Sequence, residues 1–179
     1  MQGNGAKWKK IVMEIIPVAL FAILLVADQL TKLYVKDIYE NEGWIETVVI
    51  PKFFEFTYVF NTGAAFSFLA NVSWGQLFFK ILTPIALVAF IIFYVYTCKK
   101  NYVWAKFALA LIIAGTIGNY IDRLCYGGVV DFISLIFGSY YFPVFNIADI
   151  CMTVGVIMLI AHFLFLDEGA IFRKKKNNG

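Results

Sequence analysis

The run Ile147-Ala148-Asp149-Ile150-Cys151-Met152-Thr153-Val154-Gly155-Val156-Ile157-Met158-Leu159-Ile160-Ala161-His162-Phe163-Leu164-Phe165-Leu166 is apolar almost throughout and carries one carboxylate, Asp149, near its start. Its length falls within the roughly 17–25 residues that an α-helix needs to cross a bilayer. Three more stretches approach the same requirement: Ile11–Ala27, Ile81–Thr97 and Tyr102–Gly118. Of the 179 residues, 61% are hydrophobic and 15% charged. A soluble domain is about half apolar and about a quarter charged, so this excess must face lipid. The composition therefore predicts a mainly α integral membrane protein with four transmembrane helices.

Charge distribution orients those helices. Lys7, Lys9, Lys10, Lys99, Lys100, Lys106, Arg173, Lys174, Lys175 and Lys176 all fall on one predicted side of the membrane. By the positive-inside rule both termini and the middle loop are expected in the cytoplasm. The connections at about 28–80 and 119–146 are then outer segments. They hold most of the acids: Asp28, Asp37, Glu40, Glu42, Glu46, Glu55, Asp122 and Asp131. The first apolar run follows Lys7, Lys9 and Lys10, but Leu25-Val26-Ala27 before Asp28 is a poor cleavage site, so it is expected to be retained.

The outer segments carry strand signals. Phe54–Phe60 alternates with period two, Thr47–Ile50 is a shorter β-rich run, and Phe132–Phe137 and Tyr140–Phe145 flank a Gly138-Ser139 turn. These predict a small β-sheet resting on the outer membrane surface. Its aromatic face is expected either to anchor in headgroups or, through Phe54, Phe56 and Tyr58, to clamp an apolar ligand. The stretch at about 33–46 is amphipathic and matches no motif.

Ionisable groups at membrane depth are costly and need a reason. Here the polar residues gather in five patches at the outer ends of helices or in outer loops. They are Asp28-Gln29-Leu30-Thr31-Lys32, Asn61-Thr62-Gly63-Ala64-Ala65-Phe66, Gly118-Asn119-Tyr120-Ile121-Asp122-Arg123, Val129-Val130-Asp131-Phe132 and Phe145-Asn146-Ile147-Ala148-Asp149. One layer at one surface fits a site better than the distributed path of a transporter. The i, i+4 spacing of Asp28 and Lys32 reads first as a helix-face ion pair. Asp122 and Arg123 read as a buried charge pair that positions the outer segment. Asn61, Asn119 and Asn146 suit caps or turns, and equally suit contacts to a substrate or carboxylate. Asn146 is a good N-cap, which places Asp149 in the first turn of the last helix.

Other chemistries are poorly supported. Cys98, Cys125 and Cys151 form no CxxC pair, and His162 stands alone, so no metal site is expected. A serine–lysine peptidase would draw on Ser67, Ser73, Ser134 or Ser139 with Lys32 or Lys52, yet nothing couples a particular pair.

The five patches, in this order and at these spacings, resemble those of lipoprotein signal peptidase (signal peptidase II), over nearly the whole chain. The resemblance implies a single membrane-embedded aspartic endopeptidase domain spanning 1–179. It implies Asp131 and Asp149 as the catalytic pair, supported by Asp28, Lys32, Asn61, Gly63, Asn119, Asp122, Arg123 and Asn146, with no cofactor. The implied substrate is a prolipoprotein carrying a diacylglyceryl cysteine, cut just before that cysteine in the bacterial cell (inner) membrane. Membrane lipid is the surrounding partner, nucleic acid is not expected, and the enzyme is expected to be monomeric. Two neighbouring carboxylates share a proton near neutral pH, which supplies a base and a hydrogen-bond donor together. The helix dipole favours Asp149 as the ionised member and Asp131 as the protonated one.

Overall fold

A computed structural model describes residues 2–43, 46–63 and 74–166. Helix α1 runs Gln2–Glu42, strands β1 and β2 cover Glu46–Ile50 and Phe54–Asn61, and α2 spans Gly75–Lys100. Helix α3 follows at Val103–Cys125, then β3 (Val129–Phe137), β4 (Tyr140–Tyr141) and α4 (Ile147–Ala161), which closes in a π-helical turn, His162–Leu166. All four helices are long and apolar enough to cross a membrane, α4 when its π-helical turn is included. This is a multi-pass membrane protein.

Helix α3 is the hub. It packs against α1, α2 and α4, and buries Ala105, Ala108, Leu109, Ile112, Ile113 and Ala114. By contrast Ile81, Ile85, Val88 and Ile92 of α2 are exposed, an apolar face of the kind a spanning helix turns to lipid. Between helices in lipid, close approach through small residues replaces hydrophobic burial as the main attraction. A Cβ on Gly115 would lie 2.2 Å from the Ala148 carbonyl oxygen, and one on Gly155 would lie 2.7 Å from that of Ala108. Those two glycines let α3 and α4 meet backbone to backbone.

The helices outrun the sequence-based spans. The first span was expected to stop at Ala27, yet α1 continues to Glu42. At 1.5 Å per residue the helix is about 60 Å long, twice the thickness of a hydrocarbon core. Asp28 and Lys32 are therefore helical, and so is most of the stretch at 33–46. The projecting turns have a job: Tyr39 stacks on Tyr58 of β2 at 3.9 Å, and the Lys36 ammonium lies 4.1 Å from the Tyr126 ring centroid. Similarly α3 runs past the span limit at Gly118 to Cys125, which puts Asn119, together with Asp122 and Arg123 that were expected to end this helix, on its last turns.

The sheet is antiparallel in the order β1-β2-β3-β4. Three of the expected strands are present. The fourth, expected at Tyr140–Phe145, shortens to Tyr140–Tyr141 ahead of Pro143, which has no N–H for a ladder, and Phe145 makes only an isolated bridge to Ile133. Gly138, with φ of 66°, makes the turn between β3 and β4. A bulge between Phe56 and Val59 shifts the register, so that Glu55 faces Ser134 while Val59 faces Asp131. The bulge also ends the simple alternation of Phe54, Phe56 and Tyr58. Phe54 and Phe56 contact each other, whereas Tyr58 is committed to Tyr39. Strand β3 connects the end of α3 to the start of α4, which brings Asp131 over the helix ends.

Candidate active site

The C-terminal ends of α1 and α3 and the N-terminal ends of α2 and α4 lie at the same end of the bundle, beneath β3. There the five patches converge. Asp131 is 2% exposed, and each of its carboxylate oxygens accepts from an asparagine: Oδ1 from Asn146 Nδ2 at 2.6 Å, Oδ2 from Asn61 Nδ2 at 2.9 Å. Asp149 Oδ1 accepts from Asn119 Nδ2 at 2.8 Å. Asn146 caps α4 as expected. Its Oδ1 accepts from the Asp149 amide at 2.9 Å, and Asp149 Oδ2 returns to the Asn146 amide at 3.2 Å, closing a capping box.

Beneath this pair is a buried ionic layer. Lys32, 3% exposed, lies 2.9 Å from Asp28 Oδ2 and 3.0 Å from Asp122 Oδ2, and donates to Asn119 Oδ1 at 2.8 Å. Each of those two carboxylates also holds a backbone amide. Asp28 Oδ1 accepts from Ala148 N at 2.8 Å, and Asp122 Oδ2 from Val130 N at 3.3 Å. Ala148 immediately precedes Asp149, and Val130 immediately precedes Asp131. The ionic layer thus holds the backbone one residue before each member of the pair. The expected i, i+4 ion pair of Asp28 and Lys32 is present. The expected partnership of Asp122 with Arg123 is not: Asp122 pairs with Lys32, ninety residues away in the chain. Arg123 instead donates to the carbonyl oxygens of Gly63 at 3.1 Å and Asn119 at 3.3 Å, with its guanidinium 5.0 Å from the Phe79 ring centroid. Adjacent residues on a helix point about 100° apart, which is why the neighbour in sequence is not the partner in space.

Gly63 enters through its backbone, its N–H donating to Asn61 Oδ1 at 2.9 Å. Sequence reasoning did not single out Gln29, although it quoted the patch containing it. Its Nε2 reaches Asp122 Oδ1 at 3.1 Å, the Gly118 carbonyl at 3.2 Å and Asp28 Oδ2 at 3.2 Å, tying α1 to α3. Its bridging role depends on the packing of α1 against α3, which the patch alone does not specify. Ser67 and Ser73 lie outside the described residues. Ser134 donates to Glu55 at 3.0 Å, and Lys32 is committed to its carboxylates, so these two do not form a serine–lysine couple. Among the described residues no group of three His, Cys, Asp or Glu side chains is arranged to hold a metal ion.

Both aspartates face a cavity of about 560 Å³. Asn61, Asn119 and Arg123 form its polar wall, and Thr83 of α2, Thr116 of α3 and Ile150 of α4 carry it down between helices. Burial and, after it, the neighbouring Asp149 charge together raise the Asp131 carboxyl to about 7, against the opposing donors Asn61 and Asn146. An acid that exchanges its proton near neutral pH beside a second carboxylate is what general acid–base hydrolysis uses.

A buried and a half-buried aspartate side by side at one end of a helical bundle that crosses the membrane, beneath a small sheet, fit the class to which its relatives belong, the membrane-embedded aspartic endopeptidases. The chain belongs to the signal peptidase II family, whose model matches residues 20–165. It is 40% identical over 151 residues to a lipoprotein signal peptidase of Symbiobacterium thermophilum, covering 84% of this chain and 95% of that one. A lipoprotein signal peptidase of Pseudomonas aeruginosa is 40% identical over 156 residues, covering 87% and 86%. Among solved structures, a bacterial membrane enzyme determined in meso at 2.3 Å superposes with a TM-score of 0.69 at 36% identity, covering 83% of this chain and 87% of the other.

Proposed function

We propose that this chain removes signal peptides from diacylglyceryl-modified prolipoproteins, cutting before the lipidated cysteine, and that Asp131 and Asp149 carry the reaction. The observation that carries the mechanism is the pairing of buried Asp131 with half-buried Asp149 on one cavity wall, each held by an asparagine side-chain donor. Asp149, at a helix N-terminus and in a capping box, is placed to be the ionised member. It draws a proton from water as the water attacks the scissile carbonyl carbon. Asp131, in its protonated form, hydrogen-bonds the carbonyl oxygen and then the oxyanion of the tetrahedral intermediate. The C–N bond breaks as Asp149 passes the proton it took from water to the leaving amine. Asp149 thus acts first as base and then as acid, and the pair returns to its starting protonation state.

The cavity accounts for substrate access. Helices α2 and α4 are joined at the far end by the Phe93–Phe163 stack, 5.9 Å between centroids. Near the aspartates the cavity is lined by Thr83 of α2 and by Ile150 and Val154 of α4, which supports entry of a greasy precursor from the bilayer between these helices. The basic clusters Lys99, Lys100 and Lys106 lie at the opposite end of the bundle, which supports cytoplasmic termini and a site near the extracytoplasmic face of the bacterial cell membrane. We read the chain as one domain acting as a monomer.

The test is cleavage of a diacylglyceryl-modified precursor and its unlipidated counterpart by wild type, Asp131→Asn and Asp149→Asn. Cleavage of the lipidated precursor alone, abolished in both folded variants, is expected. Turnover by either variant near the wild-type rate removes that aspartate from the mechanism.

A further inference from the structure

The three asparagines around the pair differ in what holds their oxygens. Asn61 Oδ1 is fixed by the backbone N–H of Gly63, and Asn146 Oδ1 by that of Asp149. Asn119 is held by side chains: Lys32 Nζ at 2.8 Å and Asn146 Nδ2 at 3.1 Å both donate to its Oδ1. A carboxamide rotated by half a turn exchanges its acceptor for its donors. Rotated, Asn119 would set its N–H groups against the Lys32 ammonium and its oxygen against the Asp149 carboxylate. Both contacts would be repulsive. In a buried site such an uncompensated juxtaposition is far costlier than in water.

We propose that Lys32 is a positioning residue for hydrolysis: through Asn119, it keeps an N–H directed at Asp149 Oδ1 and so holds Asp149 as the charged member of the pair. The inference rests on the aspartate-pair mechanism. Lys32 itself cannot turn away, because Asp28 on its own helix and Asp122 on α3 grip the ammonium at 2.9 and 3.0 Å. The other charged groups around the pair are Arg123 on α3, Asp131 on β3 and Asp149 on α4. Arg123 donates to backbone carbonyls and lacks this contact with the Asn119 side chain. Lys32 therefore has two effects: it balances the buried carboxylates beneath the site and sets the polarity of the one amide whose orientation the backbone does not dictate.

Lys32→Met alone would leave two buried carboxylates without a cation, so it is paired with Asp28→Asn. In the purified double variant, kcat on the lipidated precursor should fall about 10- to 100-fold, the scale of one hydrogen bond to a charged group. KM should stay within about twofold and the acid limb of kcat should move up by about one pH unit. A folded variant whose acid limb stays in place overturns the proposal, even if kcat drops, because loss of folded enzyme lowers the amplitude without moving the limb. Should the variant not fold, the wild type decides. The side-chain nitrogen of Asn119, followed by NMR, should track the titration of the pair, and an unresponsive nitrogen rejects the amide orientation. Failure of the aspartate mechanism shows separately, as turnover surviving in Asp131→Asn or Asp149→Asn.

Discussion

Among the described residues two lysines are buried in this bundle, one at each end, and only Lys32 adjoins the aspartates. Lys32 and Lys106 are 3% and 0% exposed, and each is ion-paired to another helix or its own. Lys106 pairs with Glu14, whose side chain keeps 34% exposure, so their cluster opens toward the membrane surface. Around it lie Tyr94 and Cys98. Lys32 touches Asp28, Asp122 and Asn119, and through them reaches the backbone before both aspartates. Burial of a charge thus marks a constraint. What the charge is connected to decides whether the constraint is mechanical or chemical.

The largest expected effect at the Lys32 end comes from the pair itself. Asp131→Asn and Asp149→Asn should each reduce kcat by about 1000-fold or more, since each removes a proton-transfer or hydrogen-bonding partner of the transition state. Circular dichroism and size-exclusion behaviour should remain those of the wild type. Next, Asn146→Ala removes the α4 cap and one donor to Asp131. It should cost about 1–2 kcal/mol of stability and about 100-fold in kcat, measured by thermal unfolding and steady-state cleavage. If stability falls while kcat holds, Asn146 is only a cap.

Lys106→Met sharpens the contrast from the other end. Breaking a fully buried pair costs about 3–5 kcal/mol, and the partial exposure of Glu14 should reduce that to about 2 kcal/mol. The melting temperature should drop while kcat and its pH profile stay as in the wild type. A moved pH profile would mean that the two ends are coupled.

A smaller effect is the pH dependence of stability. Burial and the Asp149 charge lift Asp131 from about 3.8 to about 7, so between those values the folded protein holds a proton that the unfolded chain has released. That contribution is fully present below pH 3.8 and is lost as pH rises through 7. The wild-type melting temperature should therefore fall between pH 5 and 8 more steeply than that of Asp131→Asn. Equal slopes would show that Asp131 is not the raised acid.

Much of this was legible in the residues. Charges and amides stand out in an apolar chain because each is costly there, so the five patches announced themselves, as did the N-cap at Asn146 and the hairpin at Gly138. Less visible were features that depend on a partner elsewhere in the chain. Gln29 lies inside one of those patches, but its bridge from α1 to Gly118 and Asp122 of α3 is not written in the patch itself. The extension of α1 to Glu42 follows from its packing beneath β2, with Tyr39 on Tyr58, and an amphipathic stretch alone does not say where it will dock. The bulge at Phe56–Val59 likewise arises from pairing with β3, which the alternation within one strand does not contain.

Hydropathy and charge asymmetry alone determined that this chain spans a membrane four times with its polar residues gathered at one end, because transfer free energies belong to each residue separately. Which partner each polar residue takes was decided only by the tertiary structure. The pairing of Lys32 with Asp122, and the orientation of Asn119 between Lys32 and Asp149, depend on how α1, α3 and α4 rotate about their axes. That rotation is set by contacts such as Gly115 against Ala148, summed across helices and written in no local pattern.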